Sequence, residues 1–184
     1  DCFFGDPLPT LPTVVRELGG RPLLCTLRTQ GEGGQARLSP EEYEQRLTAL
    51  LEKGGFGLVD IELACGEERI SRLVSLAKRQ GIGVVISKHD FAKTPPSEEI
   101  AAALRKMKAL GADLPKYAVM PHTPEDVLAL LSATRQASRE IGPVITMSMG
   151  ELGKVTRACG GVFGCCLTFG AGQSASAPGQ IGAE

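Results

Sequence analysis

Lys116 is the one charged group in the run Leu114-Pro115-Lys116-Tyr117-Ala118-Val119-Met120. Burial in such a run disfavours an ammonium and lowers its pKa toward the range where a neutral amine attacks a carbonyl. A lysine at a strand edge, snorkelling to water, is the other reading open at this point. His89, in Ser87-Lys88-His89-Asp90-Phe91, is the better of two histidines for taking and returning a proton, because it ends an apolar run, whereas His122 precedes a helix start. A satisfied buried imidazole is its alternative. Arg28 and Glu32 flank a turn, and the run Gly31-Glu32-Gly33-Gly34 lets the backbone bring a carboxylate back over a strand end, although such glycines also make an ordinary flexible turn. Arg157, in Thr156-Arg157-Ala158-Cys159, is either a helix-surface arginine or a fork for a carboxylate. Ser176-Ala177-Pro178-Gly179-Gln180 is small, polar and aperiodic, so it reads either as a solvated loop or as a lid carrying hydrogen-bond donors.

These residues sit in a repeating grammar of short β-rich runs and long amphipathic ones. Residues 22–28 form the first strand-like run, and Ser39-Pro40-Glu41-Glu42 opens a helix with a capping box that stops at Gly54-Gly55. Strands are predicted again at 58–63, 83–87, 114–120 and 144–149, with a last strand-like run at 165–169. The intervening helices end at Gly81, run from Ser97 to near Gly111, run from Thr123-Pro124 to Gly142-Pro143, and occupy a shorter stretch around 155–159. A strand-helix-strand repeat with this period demands parallel pairing. With period 2, Thr26, Arg28, Asp60, Glu62, Ser87, His89 and Lys116 share one face, and Cys25, Val59, Ile61, Val84, Ile86, Tyr117 and Val119 the other. An open sheet covered on both sides wants two apolar faces. Ionisable groups gathered toward the strands' C-terminal ends fit the mouth of a (β/α)8 barrel instead. The expected fold class is therefore α/β, a (β/α)8 TIM barrel, as one domain over residues 1–184.

Composition narrows the setting. Twenty Lys+Arg against 21 Asp+Glu give a net charge of -1 over 184 residues, which offers no electrostatic footprint for nucleic acid. No apolar run approaches a membrane span and no signal peptide opens the chain, so a cytoplasmic setting is expected. The six cysteines form no CxxC pair and no ligand-spaced set with histidine, and are expected to be reduced, mostly buried small hydrophobes.

Several blocks in order resemble type I 3-dehydroquinate dehydratase, the Schiff-base enzyme family of the shikimate pathway. They are Thr26-Leu27-Arg28 with Glu32-Gly33-Gly34, Ser87-Lys88-His89-Asp90-Phe91-Ala92-Lys93-Thr94-Pro95, Asp113-Leu114-Pro115-Lys116-Tyr117-Ala118-Val119-Met120-Pro121, Ile145-Thr146-Met147-Ser148-Met149-Gly150, Val162-Phe163-Gly164, and Thr168-Phe169-Gly170 leading to Ser176-Ala177-Pro178-Gly179-Gln180-Ile181. The resemblance implies a class I aldolase-type (β/α)8 barrel, with the chain lacking about the first two strands and the final helix, and with Asp1 on the last letter of the family's Glu-x-Arg-x-Asp strand motif. It implies syn elimination of water from 3-dehydroquinate to give 3-dehydroshikimate. Lys116 is implied to form the imine, His89 to act as base and then acid, and Glu32 to hold and polarise that imidazole. Arg157 is implied to pair with the substrate carboxylate and Arg28 to reach ring hydroxyls. Met147, Met149 and Phe169 are implied as apolar walls, and Ser176 and Gln180 as contributions from a lid within residues 171–184. No metal or organic cofactor is implied, and a homodimer is the assembly that the resemblance implies.

Two other functions compete. Another class I Schiff-base lyase or aldolase also needs a strand lysine, but a phosphorylated substrate would call for a cradle of backbone N–H groups near Gly170-Ala171-Gly172. A non-catalytic, truncated remnant that folds in part and binds a ligand or another barrel is the third reading; on the dehydratase reading the shortened chain keeps its catalytic trio and is expected to be poorly stable and weakly active by itself.

Overall fold

The computed structural model describes residues 8–172, 175 and 177–182. The expected strand tail at residues 1–6, Cys2 and Ser176 lie outside the described residues. The chain divides into two compact units. One holds the residues up to Ser87 together with Leu110–Asp113, and the other Lys88–Ala109 and the residues from Leu114 onward.

The first unit begins with a short helix α1 (Leu11–Glu17), then β1 (Leu24–Thr26), a 3-10 turn at Gln30–Glu32, α2 (Pro40–Lys53), β2 (Leu58–Glu62), a second 3-10 turn at Leu63–Cys65, α3 (Glu67–Arg79), and β3 (Gly83–Asp90), whose last residues pass into the second unit. Helix α2 starts where its capping residues dictate. The Ser39 hydroxyl accepts from the Glu42 N–H while the Glu42 carboxylate accepts from the Ser39 N–H. β1 pairs with β2 and β2 with β3, all parallel, with Thr26 opposite Asp60 and Glu62 opposite Ser87. That register gathers the polar residues of all three strands on one face, as their spacing predicts. Val59, Ile61, Val84 and Ile86 are fully buried with Leu47, Leu51, Ile70 and Leu73 of the helices. Each such side chain contributes roughly 1.5–3 kcal/mol of burial, which supports the buried charges carried by the same strands.

The second unit contains α4 (Ser97–Ala109), β4 (Leu114–Val119), α5 (Pro124–Ile141), β5 (Ile145–Ser148), α6 (Gly150–Phe163), and a two-residue parallel pair of β6 (Gly170–Ala171) with β7 (Ile181–Gly182). Helix α5 has its own capping box, Thr123 with Asp126. β4 pairs with β5 in parallel, Lys116 opposite Ile145 and Ala118 opposite Met147.

Three expectations are corrected. Residues 165–169 are not a strand: Cys165 makes a single bridge to Val144, and the chain then leaves the sheet. The helix expected around 155–159 runs from Gly150 to Phe163. Its glycines lower intrinsic propensity but permit close packing, for a Cβ on Gly153 would lie 2.2 Å from the Ser148 carbonyl oxygen. The described cysteines are free but not mostly buried. Among those described only Cys65 is buried, Cys25, Cys159 and Cys165 are half-buried, and Cys166 is exposed. Burial pushes the Cys25 thiol up to about 11 and the Cys65 thiol to about 12. Among the described residues no helix is long and apolar enough to cross a membrane.

Candidate active site

In the first unit Arg28 follows β1 and turns its guanidinium onto the polar face, where it is 5% exposed. Nη2 lies 2.6 Å from Asp60 Oδ2, and Nη1 donates to Glu62 Oε1 and to Ser87 Oγ, each at 3.0 Å. Burial alone would lower this guanidinium's pKa, but the fields of Asp60 and Glu62 outweigh it and hold it above the ordinary arginine value. Glu32 ends the 3-10 turn, buried, with Oε2 4.0 Å from Arg28 Nη1. Sequence position alone singles out Arg28 and Glu32. The partners Asp60, Glu62 and Ser87 were legible only as polar positions on a shared face, because the strand register is what brings them to one guanidinium.

A cleft of about 550 Å³ opens beside this network, walled by Thr29, Gly31, Ser39, Tyr43, Glu62 and Cys65 among others. Lys116 and Arg157 are not among its lining residues.

The second unit carries two buried cations. Lys116, in the middle of β4, is 5% exposed, so the snorkelling alternative is excluded. Its Nζ lies 4.8 Å from the centre of the Phe169 ring, a cation–π contact that favours a positive charge at this nitrogen. Arg157, on α6, is 7% exposed, so it is not a helix-surface arginine. Nη1 makes long contacts, each 3.5 Å, with Met147 Sδ and the Phe169 carbonyl, and Nη2 donates to the Pro178 carbonyl at 3.2 Å. Nε has no hydrogen-bond partner. Desolvation lowers the pKa of this guanidinium, and no carboxylate among the described residues forms an ion pair with it. A buried fork held only by carbonyls and a thioether has the donor geometry and charge to take an anion.

Phe169 touches both cations, its ring above Lys116 and its carbonyl on Arg157. Met147 is buried beside Arg157, and Met149 is buried at the start of α6. The turn at 177–180 docks on the same helix start, since the Pro178 carbonyl accepts from both Arg157 and the Gly150 N–H. Gly179 is required there: it has φ 75°, and a Cβ would fall 2.3 Å from the Gly150 carbonyl oxygen. Gln180, the neighbouring residue, is half-buried. His89 stands near the end of β3, half-buried and stacked on Phe91 with ring centroids 6.3 Å apart. The second histidine, His122, has Nε2 2.6 Å from the Ala92 carbonyl. Among the described residues no group of three His, Cys, Asp or Glu side chains is arranged to hold a metal ion.

The model of the type I 3-dehydroquinase family matches residues 6–184. The chain belongs to that family. The 3-dehydroquinate dehydratase of Enterococcus faecalis is 45% identical over 183 residues, 98% of this chain and 72% of the relative. The Neisseria meningitidis enzyme of that name is 46% identical over 179 residues, 97% of this chain and 70% of the relative. Among solved structures, 3-dehydroquinate dehydratase from Geobacillus kaustophilus superposes with a TM-score of 0.91 at 43% identity, covering 95% of this chain and 68% of the other. Type I 3-dehydroquinate dehydratase from Clostridium difficile, solved with covalently modified comenic acid, gives 0.87 at 44% identity, covering 95% and 71%. The likeness to type I 3-dehydroquinases fixes the fold class as the (β/α)8 barrel kind, as the one-sided polarity of the strands anticipates.

Proposed function

We propose that the chain is a type I 3-dehydroquinate dehydratase, a hydro-lyase that removes water from 3-dehydroquinate to give 3-dehydroshikimate, the third step of the shikimate pathway. The observation that supports it most is Arg157: a buried guanidinium without a described carboxylate partner suits a substrate that brings its own. Family membership supplies the reaction, and the roles follow from side-chain chemistry.

The Lys116 amine adds to the C3 ketone and loses water to form an iminium, whose carbon–nitrogen π bond accepts electrons from the adjacent C2–H bond. The Phe169 ring favours the positive nitrogen electrostatically. His89 takes the C2 proton, and the resulting enamine expels the C1 hydroxyl, which leaves as water with the proton that His89 returns. Hydrolysis then consumes the water released at imine formation and frees Lys116, so the net change is the loss of one water. Glu32 serves the imidazolium as its carboxylate. Arg157 takes the substrate carboxylate, Met147, Met149 and Phe169 wall the ring, and Gln180 and Ser176 come from the segment that covers it. Arg28 acts on ring hydroxyls only through whatever donor capacity its neighbouring carboxylates leave. No cofactor is called for, since the iminium is itself the electron sink. On the same family ground we infer a homodimer and a cytoplasmic setting.

The test is turnover. Incubation with 3-dehydroquinate is expected to produce the conjugated enone of the product, followed by its ultraviolet absorbance, and Lys116→Ala is expected to remove that signal. Enone formation unchanged in Lys116→Ala would refute the imine route.

A further inference from the structure

We propose that Glu62 is a positioning residue for this reaction, holding through Thr29 the turn that carries Glu32; the inference rests on the reading of Glu32 as the carboxylate serving catalysis. Glu62 closes β2 and is 2% exposed. Its carboxylate grips Thr29 twice, Oε1 accepting from the backbone N–H at 2.8 Å and Oε2 from the hydroxyl at 2.6 Å. The same Oε1 accepts from Arg28 at 3.0 Å. Behind it, the Glu62 N–H donates to the hydroxyl oxygen of Tyr43, which is fully buried on α2. The grip therefore starts from a packed helix and a paired strand, elements stiff enough to transmit a position.

Thr29 is where that stiffness reaches the loop. Its carbonyl accepts from the Glu32 N–H at 3.1 Å and the Gly34 N–H at 2.8 Å. The loop is then closed by Gln30 N–H to the Ala36 carbonyl at 2.8 Å and Ala36 N–H to the Arg28 carbonyl at 3.2 Å. It doubles back as tightly as a chain can, since a Cβ on Gly34 would lie 2.2 Å from the Arg28 carbonyl oxygen. A loop this closed moves as a unit about its first residue, so the anchor on Thr29 sets where the Glu32 carboxylate stands. Charge compensation of Arg28 does not account for the arrangement. Two of Glu62's hydrogen bonds go to the neutral groups of Thr29, and Asp60 already pairs with the guanidinium at 2.6 Å.

The experiment is a double-mutant cycle on kcat and KM in the full chain, with Glu62→Gln, Thr29→Val and Thr29→Ser each made alone and with Glu32→Gln. Misplacing a catalytic group by about 1 Å costs on the order of 10²-fold. Glu62→Gln and Thr29→Val are therefore expected to lower kcat by about that factor with KM within about threefold, while Thr29→Ser, which keeps the hydroxyl, retains the parent kcat. In the Glu32→Gln background both losses should vanish, because the group they position is already gone. Losses that multiply with Glu32→Gln, or a KM that rises while kcat holds, would overturn the proposal and leave the role of Glu32 standing. A Glu32→Gln variant with the parent kcat would instead overturn the reading on which it rests. Should Glu62→Gln fail to fold, the Thr29 pair decides alone.

Discussion

Arg28→Met is expected to lower the unfolding free energy by about 3–5 kcal/mol, a loss that few single substitutions reach. The reason is what the variant leaves behind. Asp60 and Glu62 are buried, and their charges are compensated by one guanidinium at 2.6 and 3.0 Å. Without it, Asp60 keeps the Ser87 hydroxyl and Glu62 keeps Thr29, both neutral donors. Two carboxylates then face each other's field in a poorly solvated site. The pH dependence has a definite sign. Protonation relieves a buried, uncompensated carboxylate of its charge, so the variant's penalty is full at neutral pH and shrinks as the pH falls into the ordinary carboxylate range. Urea unfolding of parent and variant at several pH values measures this. A gap under about 1 kcal/mol at neutral pH would show that the network is not a buried charge cluster.

Arg157→Met is expected to do the opposite to stability and far more to binding. The parent buries a cation whose Nε is unpartnered and whose other nitrogens meet carbonyls and a sulfur. Replacing it by an apolar side chain of similar length removes a desolvation penalty, so the melting temperature should hold or rise. The substrate carboxylate loses a bidentate, charge-assisted pair worth about 2–4 kcal/mol. The predicted fall in kcat/KM is roughly 30- to 1,000-fold, carried mainly by KM because the fork grips ground state and transition state alike. Arg157→Lys should recover only part of it, since an ammonium lacks the planar fork. A variant that melts several degrees lower with an unchanged KM would make Arg157 a structural cation and remove the main support for an acid substrate.

Much of the scaffold is legible in the chain because local signals and tertiary demands agree there. Ser39 with Glu42 and Thr123 with Asp126 start their helices as the capping rule requires, and the alternation on β2 and β3 divides the strands into a charged face and an apolar one. Where tertiary packing overrides local preference, the sequence misleads. The glycines of α6 look like helix breakers, yet Gly153 and Gly160 let the helix pack close against Ser148 and Cys165. The apolar alternation of residues 165–169 looks like a strand, but only Cys165 and Cys166 find Val144, and Phe169 leaves to meet Lys116 and Arg157. The site divides the same way. Lys116 and His89 stand out by residue type against their surroundings. The grip of Glu62 on Thr29 depends on a register and a turn that no single stretch encodes.

If Lys116 forms an imine with the substrate, reduction traps it. The chain, incubated with 3-dehydroquinate and borohydride, is measured by intact mass beside Lys116→Ala, because reduction fixes a bond that hydrolysis would erase. A ligand-sized mass gain is expected that maps to the peptide containing Lys116 and is absent from the control. No adduct on the folded, substrate-treated chain, or an adduct that persists in Lys116→Ala, would contradict the imine route.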